Sequence, residues 1–112
     1  MTVRLRWAVV VVDLDPTRGH EQGGKRRALV VSNEPFHRSG LTTVVPITAS
    51  TPTARYPNEV ALPSGIAGQT ADGRILCQQP RTVSVKRLER APDGTPRVLG
   101  YLDDPLLRDA VK

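Results

Sequence analysis

The chain has 112 residues, which bounds it to one domain, because domains usually contain roughly 100 to 150 residues. Its hydrophobic fraction of 38% and charged fraction of 24% are ordinary for a globular protein and exclude wholesale disorder. The net charge of +5 at pH 7 favours a polyanionic partner, although an ordinary protein surface is compatible with that charge.

Short β-branched runs separated by Gly and Pro predict a series of strands with little helix. In chain order we expect strands at residues 7–14, 27–32, 41–47, 59–62, 74–79 with a continuation over 81–83 after Pro80, and 97–102. One helical turn is expected within residues 85–90, and Pro46 suggests an edge or a bulge in the third strand. Residues 103–111 predict a C-terminal helix capped by Asp103 or Asp104. The pattern indicates one mainly-β domain over residues 1–112, built as a small antiparallel β-barrel.

The most informative segment for function is the polar loop over residues 18–27, Arg-Gly-His-Glu-Gln-Gly-Gly-Lys-Arg-Arg. Arginine offers a planar fork for phosphate oxygens, glycine permits close approach of a ligand, and His and Glu are the usual proton-transfer groups. This composition hints at phosphodiester recognition. On composition alone, however, a solvated hairpin loop is the favoured interpretation, because short motifs often match by chance.

Other constellations carry less chemistry. His20 and His37 are far apart in sequence and lack a Cys-rich context, so we expect no metal site. The single Cys77 excludes an intramolecular disulfide, and its apolar strand favours a buried, inert thiol in a reducing, cytoplasmic location. The longest apolar run, residues 8–12, is too short to span a bilayer, and no signal peptide is expected.

Several segments resemble the motifs of the MazF/PemK (Kid) toxin family. Residues 15–26, Asp-Pro-Thr-Arg-Gly-His-Glu-Gln-Gly-Gly-Lys-Arg, resemble the family signature, and residues 27–33 resemble the strand that follows it. Residues 43–48, Thr-Val-Val-Pro-Ile-Thr, resemble the second motif. Residues 77–83 and 86–90 resemble the third motif in its PemK-type form. Because the motifs occur in family order, the resemblance is specific and outweighs the solvated-loop interpretation.

The resemblance implies the toxin of a type II toxin–antitoxin system, with an SH3-like barrel, short added helices and a homodimeric assembly. Family members cleave single-stranded RNA, usually mRNA, at short sequences without a metal ion or other cofactor. The 2′-hydroxyl attacks the adjacent phosphate and leaves a 2′,3′-cyclic phosphate and a 5′-hydroxyl. A cognate MazE-like antitoxin inhibits the toxin by placing its C-terminal segment in the RNA groove. The implied location is cytoplasmic, with no membrane partner.

The resemblance also carries the family's site residues onto this sequence. The catalytic residues it implies are Arg26, Thr48, Glu21 and His20. The RNA-binding residues are expected at Arg18, Gln22, Lys25, Arg27, Gln79 and Arg81. A guanidinium and a hydroxyl suit the charge that gathers on the non-bridging oxygens, and because arginine stays protonated we assign Arg26 electrostatic stabilisation. The proton acceptor stays open between Glu21 and His20.

Among the departures from the family pattern, three positions bear on the mechanism. PemK-type members carry an Asp after the Cys, proposed as a base, and an Arg before the Cys; these positions are Gln78 and Leu76 here. Because glutamine cannot usefully accept a proton, the Arg/Thr scheme of MazF-type members is the preferred mechanism. The Pro that usually follows the catalytic arginine is Arg27 here, which adds a positive charge near the groove.

Two other function classes stay open. A CcdB-like poison that binds DNA gyrase would place its key residues in the C-terminal helix and would leave the polar loop without a purpose. A barrel that binds RNA without cleaving it would be consistent with Gln78. Incubation with a long single-stranded RNA in EDTA separates cleavage from both alternatives.

Overall fold

The computed structural model describes residues 4–14, 24–49 and 58–111. These residues form seven strands, two α-helices and one 3-10 turn. The strands are β1 (Ala8–Asp13), β2 (Lys25–Val30), β3 (Leu41–Ala49), β4 (Glu59–Leu62), β5 (Gly73–Leu76), β6 (Arg81–Ser84) and β7 (Gly100–Tyr101). The helices are α1 (Glu34–His37) and α2 (Pro105–Val111), and the 3-10 turn covers Val85–Arg87.

An antiparallel sheet that curls into a half-barrel forms the body of the domain, with β3 near its centre. The strand order is β4-β5-β3-β2-β1-β7, and β6 pairs with the first half of β3. The predicted mainly-β, antiparallel fold is therefore confirmed. The last strand is shorter than the predicted 97–102 and covers Gly100–Tyr101, but Leu99 N–H still donates to the Val9 carbonyl at 2.8 Å.

Pro46 lies inside β3, in the middle of the sheet, and not at an edge or a bulge as the sequence suggested. Val31 N–H donates to the Thr43 carbonyl at 3.0 Å, and the alternation of an antiparallel ladder then turns the Pro46 nitrogen away from β2. On its other side, Pro46 falls between the β6 pairing, which ends at Val44, and the β5 pairing, which begins at Ile47. Within the described residues, the missing N–H donor therefore faces a gap between two ladders.

Both faces of the sheet are covered by apolar side chains, because successive side chains of a strand point to opposite faces. One hydrophobic cluster includes Ala8, Val10, Val12, Ala28, Val30 and Val44. The other includes Val9, Leu29, Val45, Ile47 and Ile75. Helix α2 packs Leu107 and Val111 against the second cluster. This burial on two sides explains why β1 is a continuous apolar run and does not alternate with polar residues.

The two helices begin at capping side chains. In α2, Asp104 Oδ1 accepts a hydrogen bond from Leu106 N–H at 2.9 Å, so Asp104 is the cap among the two that the sequence offered. Pro105 is the first helical residue. In α1, Asn33 Oδ1 accepts from Phe36 N–H at 3.2 Å. α1 is not among the helices expected from the sequence, because a four-residue helix is too short to show a helical period. None of the helices in the described part of the chain is long and apolar enough to cross a membrane.

Glu34 connects α1 to the beginning of the described chain. Its Oε1 accepts hydrogen bonds from the backbone amides of Leu5 and Arg6, both at 2.8 Å, and its Oε2 lies 3.2 Å from His37 Nδ1. Burial raises the pKa of Glu34, but the hydrogen bonds from these amides and from His37 outweigh it. The net effect is a pKa below the ordinary value of 4.5.

We expect Glu34→Gln to lower the melting temperature at pH 7 and to change it much less near pH 3. A carboxyl group with a depressed folded pKa stabilises the fold above its unfolded pKa, and this contribution is lost as the pH falls through the folded pKa. Thermal unfolding followed by circular dichroism at both pH values measures the difference. Glu89→Gln breaks an exposed ion pair with Arg97 and is the control, with a smaller expected shift. Equal shifts for Glu34→Gln at both pH values would contradict this account.

Candidate active site

Arg26 and Thr48 lie on the same face of the sheet, beyond the apolar cluster that covers that face. β2 and β3 pair through Ala28 and Pro46, and Arg26 and Thr48 each stand two residues further toward the same end of these strands. Side chains two residues apart on a strand share a face. Arg26 is exposed and Thr48 is half-buried. The register therefore presents a cation and a hydroxyl together at one end of the sheet.

Lys25 and Arg27 lie on the opposite face from Arg26, because side chains alternate along β2. Arg27 Nη1 donates to the buried Gln69 Oε1 at 3.0 Å. A cavity of about 240 Å³ is lined by Lys25, Arg26, Arg27, Ile47, Gln69, Thr70 and Ala71. The RNA-binding candidates Lys25 and Arg27 thus lie on the opposite face of the sheet from the catalytic candidate Arg26, and Arg27 also connects β2 to the segment that precedes β5.

Two arginines hold the backbone that leads into residues 15–23. Arg81 Nη1 donates to the Leu14 carbonyl, and Arg87 Nη1 lies 3.5 Å from the Asp13 carbonyl. The Leu14 amide donates to the Gly24 carbonyl at 2.9 Å, which brings together the two chain segments that flank residues 15–23. Arg81 therefore has a structural contact in addition to the RNA-binding role that the sequence predicts.

Of the remaining predicted residues, the structure describes only Gln79. Arg18, His20, Glu21 and Gln22 lie outside the described residues. Gln79 is half-buried and closes a turn, in which its N–H donates to the Leu76 carbonyl at 3.0 Å. A cavity of about 360 Å³ is lined by Gln78, Gln79, Pro80 and Arg81. The structure therefore puts Arg26 and Thr48 on one face at the same end of the sheet, and Gln79 and Arg81 beside one cavity.

A buried ion pair beside Thr48 is the part of the site that sequence reasoning missed. Arg74 is the partner of Thr48 in the β3–β5 ladder, and its Nη1 donates to Glu59 Oε1 at 2.6 Å. The Arg74 and Glu59 side chains are only 10% and 3% exposed. Gln78 Nε2 donates to the other carboxylate oxygen of Glu59 at 3.2 Å. The sequence held a signal for this pair, since an Arg and a Glu inside two short apolar strands need partners when they are buried.

Other reactive side chains have structural roles. Burial raises the pKa of the half-buried Cys77 thiol above its ordinary value of 9.0, which disfavours the nucleophilic thiolate. His37 Nε2 lies 2.6 Å from Ser32 Oγ, but that hydroxyl also accepts from Thr43 N–H at 2.9 Å, so it ties β3 to the chain before α1. In the described part of the chain, no three His, Cys, Asp or Glu residues are grouped so that they could hold a metal ion.

Comparison with known sequences gives one consistent family. A family model described as a PemK-like, MazF-like toxin of type II toxin–antitoxin systems matches residues 5–109. Endoribonuclease PemK of Escherichia coli is 39% identical over 94 residues, which cover 79% of this chain and 70% of the relative. Endoribonuclease EndoA of Bacillus subtilis is 38% identical over 84 residues, which cover 74% of this chain and 72% of the relative.

Solved structures agree with the sequence comparison. MazF from Deinococcus radiodurans superimposes with a TM-score of 0.75 at 26% identity, over 99% of this chain and 91% of that protein. A MazE–MazF crystal structure from the same organism gives a TM-score of 0.68 at 27% identity, over 99% of this chain and 90% of that chain. The chain therefore belongs to the PemK/MazF family of toxins of type II toxin–antitoxin systems.

Proposed function

We propose that this endoribonuclease toxin cleaves single-stranded mRNA at the face that carries Arg26 and Thr48, without a metal ion. The observation that carries the proposal is the β2–β3 register, which puts a guanidinium and a hydroxyl on one face at one end of the sheet. Both groups can donate hydrogen bonds to non-bridging phosphate oxygens.

The reaction is an internal transfer at phosphorus. The 2′-oxygen of the nucleotide before the cleaved bond attacks the adjacent phosphorus, and its proton passes to a base. The bond between phosphorus and the 5′-oxygen breaks, and that oxygen takes up a proton. The products are a 2′,3′-cyclic phosphate and a 5′-hydroxyl. No water is consumed in this step, so the protein needs no group to activate water.

Arg26 and Thr48 stabilise the pentacoordinate transition state. Arginine stays protonated, so Arg26 supplies a fixed cation, and a hydrogen bond from its guanidinium to the leaving oxygen is its second contribution. The Thr48 hydroxyl donates a hydrogen bond to the same phosphate. His20 and Glu21 are the proposed proton acceptors, since an imidazole or a carboxylate can take the proton of the 2′-hydroxyl.

The remaining basic and polar residues are proposed to hold the RNA chain on either side of the cleaved phosphate. They are Arg18, Gln22, Lys25, Arg27, Gln79 and Arg81. The RNA chain would reach Lys25 and Arg27, on the opposite face of β2, by passing around the end of the strand, where one cavity is lined by both residues and by Arg26. The net charge of +5 supports binding of a polyanion. Gln79 and Arg81 are suited to the task because they line one cavity on the path that follows β5.

The proposed partners are a second copy of the chain and a MazE-type antitoxin, all in the cytoplasm. The solved MazE–MazF relatives support an antitoxin partner. A basic site of this kind attracts an acidic tail that folds on binding, and RNA and tail would compete for it. The gyrase-poison alternative is disfavoured because similar curated relatives, at 37% to 39% identity, are named endoribonucleases.

We expect Arg26→Ala to reduce RNA cleavage by about 10² to 10³ in rate, because one donor to the transition state is lost. Arg26→Lys should also be impaired, since an ammonium lacks the planar fork. Folding should change little, because Arg26 is exposed. Cleavage of a long single-stranded RNA in EDTA, by variants checked for fold and assembly, gives the measurement.

Gln78→Ala is the comparison for that series, and we expect a milder effect because an amide does not transfer protons. Loss of cleavage in Gln78→Ala with full cleavage in Arg26→Ala would show that the chemistry lies nearer the turn after β5. Wild-type protein that binds the RNA in EDTA but leaves it intact would favour the non-catalytic barrel.

Salt dependence tests the RNA-binding residues. Affinity for an RNA with a 2′-deoxy nucleotide at the cleavage site should fall steeply with salt, and Lys25→Gln and Arg81→Gln should each reduce the logarithmic slope by about 0.7. Arg81→Gln should additionally lower the cleavage rate. Arg81 donates to the Leu14 carbonyl, and Leu14 leads into the segment that contains the proposed proton acceptors His20 and Glu21. Arg38→Gln is the control, because Arg38 lies just before the opposite end of β3 from Thr48. Slopes unchanged in Lys25→Gln and Arg81→Gln would contradict the assignment.

A further inference from the structure

We propose that the buried pair of Arg74 and Glu59, together with Gln78, is a positioning device that holds Thr48 at the scissile phosphate. The proposal rests on the function proposed for Thr48. It assigns to Arg74 and Glu59 no direct contact with RNA; both residues act through the backbone and side chain of Thr48.

The placement of Thr48 depends on β5. The pairing of β3 with β2 runs from Val44 to Pro46, whereas residues 47–49 pair with β5. Thr48 is directly opposite Arg74, and opposite side chains in an antiparallel ladder are neighbours on one face. A Cβ atom at Gly73 would lie 2.6 Å from the Thr48 carbonyl oxygen, so the two backbones approach as closely as glycine allows. A shift of β5 would therefore move Thr48.

β5 is itself weakly specified by its length, since β4 and β5 have four residues each. Their register places Ala61 opposite Arg74 and Glu59 opposite Leu76, so Glu59 and Arg74 are diagonal neighbours on one face. The 2.6 Å contact between Arg74 and Glu59 fits this register. A slip by one residue would turn one partner to the other face and break a buried ion pair, which is costly. The ion pair therefore opposes slippage of β4 against β5.

Gln78 connects the ion pair to the turn after β5. Its amide donates to Glu59 Oε2, while Arg74 donates to Oε1, so each carboxylate oxygen has a donor. The amide suits this position because a carboxylate at residue 78 would repel Glu59. The same turn leads to Gln79 and Arg81, so the device fixes β5 relative to the proposed RNA-binding residues as well as to Thr48.

The experiment measures kcat and KM for RNA cleavage by a variant with both Glu59→Met and Arg74→Met. Replacing both members of a buried ion pair with apolar residues is often tolerated, whereas removal of one member leaves an unpaired charge. The matched control is a variant with both Glu89→Met and Arg97→Met, which removes an exposed pair of the same residue types with a 2.8 Å contact. Each double variant is made with Thr48 intact and with Thr48→Ala, and all are checked by circular dichroism.

We expect the buried-pair variant to lose at least about tenfold in kcat with KM little changed, because misplacement of a reacting group by about 1 Å is costly. In the Thr48→Ala background the same change should cost less than about threefold, since the group being positioned is absent. The surface-pair control should change kcat little in either background. An unchanged kcat in the folded buried-pair variant, or an equal loss in both backgrounds, would overturn the inference.

If the buried-pair variant does not fold, Gln78→Ala tests the inference instead. Gln78 is exposed, so its truncation should leave the fold intact while it removes the donor to Glu59. Gln78→Ala should lower kcat with Thr48 present and should have no effect in Thr48→Ala; equal effects in both backgrounds would overturn the inference. Full cleavage by Thr48→Ala alone would overturn both the Thr48 assignment and the inference. Loss of cleavage in Thr48→Ala, with full cleavage in the buried-pair variant, would overturn the inference alone.

Discussion

The register of β3 determines which side chains share the proposed active face. β3 pairs with β6 along its first half, with β2 across its middle and with β5 at its end, so three ladders fix one strand. Because side chains alternate, a one-residue shift in any of these ladders would exchange the two faces. Arg26 from β2 and Thr48 from β3 share one face because the registers of the three ladders are consistent with one another. The hydrogen-bonding pattern of the sheet is thus the constraint on which the proposed chemistry depends.

Hydrophobic burial on both sides of the sheet strengthens this constraint. The apolar residues of β1, β2 and β3 fill two clusters, one on each face, and a change of face would exchange side chains of different shape between two packed clusters. The clusters give way to the charged side chains of Lys25, Arg26 and Arg27 at the start of β2 and to Thr48 near the end of β3. The packed apolar clusters therefore support the strand ends that carry Arg26 and Thr48. This arrangement keeps hydrogen-bond donors fixed while charge develops on a phosphate.

Much of the fold, and part of the candidate site, could be predicted from the sequence. β-branched runs predicted the strands, and β4 has the predicted bounds, because Pro57 and Pro63 flank it in the sequence. Alternation along β2 could have predicted that Arg27 lies on the opposite face of the sheet from Arg26. The family resemblance instead suggested that both arginines lie near the RNA groove. The ion pair of Glu59 and Arg74 could not be assigned, since its partners lie on different strands and their contact depends on the register of β4 and β5. α1 was missed because its signal is a local cap and not a hydrophobic period.

The most direct test of the account is whether Arg26 and Thr48 act on the same phosphate. Single-turnover cleavage in EDTA would be measured for Arg26→Ala, Thr48→Ala and the double variant, each folded and bound to saturating RNA. The account predicts strong coupling: Thr48→Ala should cost much less in the Arg26→Ala background than in the wild-type protein, because both donors stabilise one transition state. Independent losses that multiply in the double variant would contradict a shared site on one face of the sheet.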